Sequence, residues 1–158
     1  MMKILMVCLG NICRSPMADG LMRKKVADHK LDVVVDSAGT GDWHVGHSPD
    51  ERMIETAKRN GVPIDELRGR QFKVEDFDAF DRIIVMDKSN FQNVRKVARD
   101  EKDVQKIEMF LDLTHPGKDL EVPDPYFGGD EGFQDVFDML NAGTDVILKE
   151  LKEIKEND

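Results

Sequence analysis

Four short runs of strand character, at residues 4–7, 31–35, 83–86 and 106–111, alternate along this chain with segments of helical spacing. Such alternation leaves few folds open. A strand that returns through a helix lies parallel to its neighbour, and a parallel sheet needs cover on both faces. Ile4-Leu5-Met6-Val7, Val33-Val34-Val35 and Ile83-Ile84-Val85-Met86 are unbroken apolar runs, the pattern of strands buried on both sides. Residues 16–30 place Ala18, Leu21, Met22 and Val26 on one side and Arg23, Lys24 and Lys25 on the other. Residues 50–60, 75–80 and 89–100 also read as helical, and residues 114–129 as a long loop. A last helix over 131–155 carries Phe133, Val136, Phe137, Leu140, Ile147, Leu151 and Ile154 at helical spacing. The expectation is one α/β domain over residues 1–158, with a four-stranded parallel sheet between helical layers.

In an open sheet of this kind ligands bind beyond the carboxyl ends of the strands. Val7-Cys8-Leu9-Gly10-Asn11-Ile12-Cys13-Arg14-Ser15-Pro16 leaves the first strand at that end and leads into a helix, Pro16 suiting its first position. Backbone N–H groups and a helix N-terminus together make an anion site, most naturally for phosphate. Cys8 adds a thiol whose pKa a helix N-terminus and a nearby arginine can lower, giving the nucleophilic thiolate. Arg14 adds a planar fork that binds two phosphate oxygens at once. Ser15 can cap the helix and donate to the Cys8 sulfur, while Gly10 and Asn11 are the residue types that tolerate positive φ. Leu9, Ile12 and Cys13 complete the loop that would cradle the phosphate oxygens.

Sulfur attack on a phosphate ester expels an oxyanion, which an acid should protonate. Asp124, between Pro123 and Pro125 and followed by Tyr126, Phe127, Gly128 and Gly129, is the candidate, although the residues alone favour an ordinary turn-former. Ser37 and Asp87 follow the second and third strands onto the same edge, and capping of the next helix alone would explain Asp87.

The formal charge of −9 argues against nucleic acid and anionic membrane surfaces as partners. The loop must therefore hold a dianion by local donors. Cys8 and Cys13 are too few for a disulfide framework and fit a reducing compartment. No apolar run approaches the roughly 18 residues of a membrane span. The histidines, His29, His44, His47 and His115, are scattered without ligand spacing, so neither a metal nor another cofactor is expected. These features predict a cytoplasmic enzyme, monomeric, acting on a phosphorylated protein or small molecule.

The stretch from Val7 to Ala18 closely resembles the signature of the low molecular weight protein tyrosine phosphatases, and its placement and the chain length agree. The resemblance extends to Asp36-Ser37-Ala38-Gly39-Thr40, Met86-Asp87-Lys88-Ser89-Asn90 and Asp124-Pro125-Tyr126, and so covers essentially the whole chain. It implies a three-layer α/β/α fold of flavodoxin-like strand order 2-1-3-4. It also implies hydrolysis of phosphotyrosine through a phosphocysteine on Cys8, with Arg14 stabilising the transition state and Asp124 as acid, then base. Trp43 and Tyr126 resemble walls of the substrate pocket, with Leu9 beneath; Ser37 resembles a partner holding Asn11; Cys13 resembles the partner in a reversible, protective disulfide with Cys8. Asp87 would stabilise the acid's loop or cap its helix.

Three positions depart from the family pattern. Phe127 stands where a second tyrosine would follow Tyr126, and the family marks both as phosphorylation sites. A histidine behind the phosphate loop has no counterpart in Ile64-Asp65-Glu66-Leu67. Asp19 replaces a glutamate, with little consequence expected.

Competing functions are separated by residues. A phosphoarginine phosphatase is associated with threonine where this chain has Ile12. An arsenate reductase-like redox enzyme would need further cysteines after Cys13, and a non-catalytic phosphate-binding module would need neither Cys8 nor Asp124.

Overall fold

The computed structural model describes residues 1–127 and 130–156; Gly128 and Gly129, expected to flank the acid's loop, lie outside them. Four parallel strands, β1 (Met2–Cys8), β2 (Val33–Gly39), β3 (Arg82–Val85) and β4 (Ile107–Met109), form a sheet of order β2-β1-β3-β4. The helices are α1 (Arg14–Asp28), α2 (Glu51–Arg59), α3 (Asp76–Ala79), α4 (Lys88–Val97), α5 (Glu101–Gln105) and α6 (Asp130–Glu156). The expected parallel sheet and strand order are both found.

β1 is central, and its period-two alternation divides the core. Ile4, Met6 and Cys8 face one cluster with Met17 and Met22 of α1 and Phe133, Val136 and Leu140 of α6. Leu5 and Val7 face the other, with Phe72, Phe77 and Val94. Ile4 through Val7 have no exposed surface, as the unbroken apolar run predicts.

The Val33-Val34-Val35 run breaks that rule: Val34 is 41% exposed. β2 is an edge strand, so the run marks strand propensity rather than burial on both faces. Three boundaries also move. α1 begins at Arg14, which puts Pro16 at its third position, where an N–H still has no partner within the helix. The expected helix over 89–100 stops at Val97 as α4, and an unexpected further helix, α5, starts after Asp100, whose carboxylate caps it by accepting from the Asp103 N–H. The fourth strand is only Ile107–Met109, followed at once by a 3-10 turn over Phe110–Asp112. A second such turn, Pro125–Phe127, lies within the long loop.

Candidate active site

Cys8 ends β1, and Leu9 to Cys13 turn tightly into α1. The loop is clamped from outside through its carbonyls. Those of Cys8, Leu9 and Ile12 accept from the N–H groups of Thr40, Gly41 and Asp50 at 2.9, 2.9 and 2.8 Å. Among the described residues the N–H groups of Gly10 to Cys13 find no acceptor within the chain, so a group of donors stays available on the loop. Asn11 supplies the left-handed residue, with φ 56°. Gly10 does not, contrary to the expectation of positive φ at both positions. What Gly10 provides is room: a Cβ there would lie 3.1 Å from Cδ2 of His44.

Behind the loop runs a short polar chain. The Asn11 amide donates to Ser15 Oγ at 2.7 Å, and Ser15 Oγ lies 3.0 Å from the Cys8 sulfur. The Ser15 N–H also points at that sulfur, 3.4 Å away. Ser15 thus meets Cys8 as expected but does not cap α1, whose flanking residue is Cys13. The other end of Asn11 accepts from the backbone N–H of Arg70, at 3.0 Å. Ser37, expected to hold Asn11, faces Asp19 instead, and the buried Asp19 carboxylate pairs with Arg23. Burial raises the Asp19 pKa against the pull of Arg23. In the segment that lacks the family histidine, apolar Leu67 lies beside Asn11, Pro16 and Ser37.

Arg14 is 2% exposed, an unusual burial for a guanidinium, and one end of it is firmly held. Its Nη1 donates to Asp87 Oδ2 at 2.7 Å and to the Val122 carbonyl at 2.9 Å, while Nη2 lies 3.5 Å from Asp124 Oδ2. Burial works against its charge, but Cys8, Asp87 and Asp124 outweigh that and raise its pKa above the ordinary arginine value. Of the two roles left open for it, Asp87 takes that of helix cap, and it also holds Arg14. One oxygen holds Arg14; the other accepts from the Asn90 N–H and caps α4 in a capping box.

Asp124 is fixed by its own turn, Oδ1 accepting from the Tyr126 N–H at 3.0 Å. The segment before it is tied to β3 through the Val122 N–H, which donates to the Met86 carbonyl at 2.9 Å. From the other side, Arg52 of α2 donates to the Tyr126 carbonyl at 3.1 Å and lies over the rings of Phe133 and Tyr126.

These segments enclose a cavity of about 230 Å³, lined by Cys8, Leu9, Gly10, Ile12, Cys13, Arg14, Trp43, His44, Asp124 and Tyr126. Trp43 and Tyr126 stand at its mouth, 66% and 42% exposed, far more than core aromatics would be. The Trp43 ring folds back over Gly41, where a Cβ would come within 2.0 Å of it. Asn11 and Ser15 do not line the cavity; they support the loop from behind. Both cysteines are free thiols. Burial, with Asp50, Cys8 and Asp124, pushes the Cys13 thiol far above its ordinary pKa. The sequence reading missed His44, Arg52 and Arg70. Arg70 acts on Asn11 through its main chain, which leaves no residue-type signal; the apolar-polar mixture around His44 and Arg52 likewise offered none.

Comparison with known proteins bears on this geometry. The family described as "Low molecular weight phosphotyrosine protein phosphatase" matches residues 3–157. A protein of that name from Schizosaccharomyces pombe is 40% identical over 152 residues, covering 94% of this chain and 96% of its own. The crystal structure of a protein tyrosine phosphatase from Entamoeba histolytica, with Hepes in its active site, superposes with a TM-score of 0.90 at 39% identity, covering 98% and 99% of the two chains. YfkJ from Bacillus subtilis gives 0.89 at 37% identity, covering 98% and 97%. The matched relatives are hydrolases of phosphoric monoesters. Cavity, loop and whole-chain similarity agree, and this chain belongs to the low molecular weight phosphotyrosine protein phosphatase family.

Proposed function

We propose that the chain hydrolyses phosphotyrosine and related aryl phosphate monoesters through a phosphocysteine intermediate on Cys8. The observation that carries this reading is the meeting of the Cys8 sulfur, Arg14 and Asp124 on one cavity whose mouth is flanked by two aromatic rings. The Cys8 thiolate attacks phosphorus, an S–P bond forms, and the P–O bond to the aryl oxygen breaks. Asp124 gives its proton to that oxygen. Arg14 and the loop N–H groups stabilise the charge on the three equatorial oxygens. In the second half Asp124, now a carboxylate, takes a proton from water; the water oxygen bonds to phosphorus, the S–P bond breaks and inorganic phosphate leaves. Ser15 Oγ, 3.0 Å from the sulfur, donates to the returning thiolate.

Trp43 and Tyr126 supply flat faces for a phenyl ring, which a short serine phosphate could not reach. The Ile12 side chain on the same cavity favours that ring over a polar guanidinium. Cys13, a free thiol lining the same cavity as Cys8, is the second member of a disulfide with it when peroxide is the oxidant.

The deciding experiment is hydrolysis of para-nitrophenyl phosphate in EDTA and reductant, wild type beside Cys8→Ser. Turnover that survives chelator and disappears in the variant supports the reading. A wild type with no turnover refutes it. Phosphotyrosine and phosphoarginine peptides, compared next, settle the substrate class.

A further inference from the structure

Two histidines that looked scattered in the sequence are brought together by a turn at the rim of the cavity. The His47 N–H donates to the His44 carbonyl at 3.0 Å, closing a turn over His44-Val45-Gly46-His47. Its third residue, Gly46, has φ 81°, the conformation a type II turn requires there and one that glycine supplies without strain. The turn places both imidazoles on one side: the Nδ1 atoms are 3.3 Å apart and the rings meet edge to face at 61°.

We propose that His44 and His47 chelate a borderline divalent transition-metal ion, of the zinc, copper(II) or nickel(II) class, through their two Nδ1 atoms. The geometry favours it. With metal–nitrogen bonds of about 2.0–2.1 Å, two nitrogens 3.3 Å apart subtend about 105–110° at a common metal, close to the tetrahedral angle. Imidazole nitrogens select such ions over magnesium or calcium, which take oxygen. In the neutral pair one ring donates its Nδ1–H to the other; on metal binding that ring passes to its Nε2–H tautomer, so no net proton need be released. Among the described residues no third His, Cys, Asp or Glu completes a ligand set. The remaining positions are for water or an oxygen of a bound ligand, an open site rather than a structural one. His44 also lines the substrate cavity and its ring lies against Gly10 of the phosphate loop, so a bound ion adds positive charge to the wall of an otherwise acidic protein.

The test is zinc titration of the full-length protein, followed by ¹⁵N spectra of the histidine rings, on the wild type and on the double variant Cys8→Ser, Cys13→Ser, which removes both competing cavity thiols. The expected result is saturation at one equivalent with the Nδ1 resonances of His44 and His47 moving together. Those of His29 and of His115, whose Nδ1 lies 2.9 Å from Thr114 Oγ1, should stay in place. His44→Gln and His47→Gln should each weaken binding at least about tenfold, as expected for the loss of a metal ligand. Three results would overturn the proposal: no ring shift at millimolar zinc, shifts shared equally by all four histidines, or zinc binding that survives both glutamine substitutions.

Discussion

The Nη1 atom of Arg14 lies 2.7 Å from Oδ2 of Asp87, a carboxylate whose other oxygen caps helix α4. One residue thus carries the orientation of the cavity's guanidinium and the start of a helix on the opposite side of β1. Asp87→Ala leaves a buried positive charge with only Val122 and the more distant Asp124, and removes the cap. The expected loss is about 2–4 kcal/mol of stability, most of it from the unpaired charge. Asp87→Asn, which can still cap, should lose about half as much. Urea unfolding of the three proteins measures both.

Asp124→Ala should slow turnover of phenyl phosphate by about 10²–10⁴-fold, the usual worth of a positioned acid. With para-nitrophenyl phosphate, whose leaving oxygen needs little protonation, the loss should be much smaller. Plotting rate against leaving-group pKa for wild type and variant checks this, and equal losses across the series would remove Asp124 from the role of acid.

Cys13 makes stability sensitive to alkaline pH. Its folded-state pKa is raised by burial and by Asp50, Cys8 and Asp124, so the folded protein keeps the proton that the unfolded chain gives up. The contribution is complete below the ordinary thiol pKa of 9.0 and declines above it, by at most about 1.4 kcal/mol per pH unit. Thermal unfolding between pH 8 and 10.5 should show Cys13→Ala falling less steeply than wild type.

Gly41→Ala puts a methyl group where the Trp43 ring lies. The ring must leave its place at the cavity mouth, while Cys8, Arg14 and Asp124 are untouched. The expected signature is KM for an aryl phosphate raised about three- to tenfold, the worth of about 0.7–1.4 kcal/mol of lost aromatic contact, with kcat nearly unchanged. Steady-state kinetics on wild type, Gly41→Ala and Trp43→Ala check it.

What could be read in advance divides along a physical line. The alternation of strand and helix, and the placing of Cys8, Arg14, Asp124 and Trp43 on one edge, follow from side-chain type and chain direction. Val34 misled because a β-branched run records strand propensity, whereas its exposure depends on β2 lying at the sheet edge. The tie of Asn11 to Arg70 was invisible because a main-chain N–H makes it. Ser37 was assigned to Asn11, but its side chain faces the buried Asp19 carboxylate. His44 and His47 become neighbours only through a turn closed by Gly46, a conformation that residue spacing does not reveal.

The position of Arg14 has a consequence for how substitutions there are interpreted. The same guanidinium faces the cavity, grips Asp87 at the mouth of β3 and holds Val122 at the root of the acid's loop. Arg14→Lys preserves the charge but loses the planar fork that meets Asp87 and Val122 through Nη1 and Asp124 through Nη2, so it loosens these contacts while leaving the electrostatics nearly intact. A dead Arg14→Lys enzyme would therefore be a report on joinery as much as on transition-state charge. Asp87→Asn, which loosens the same joint and spares the guanidinium, is the companion that tells the two apart.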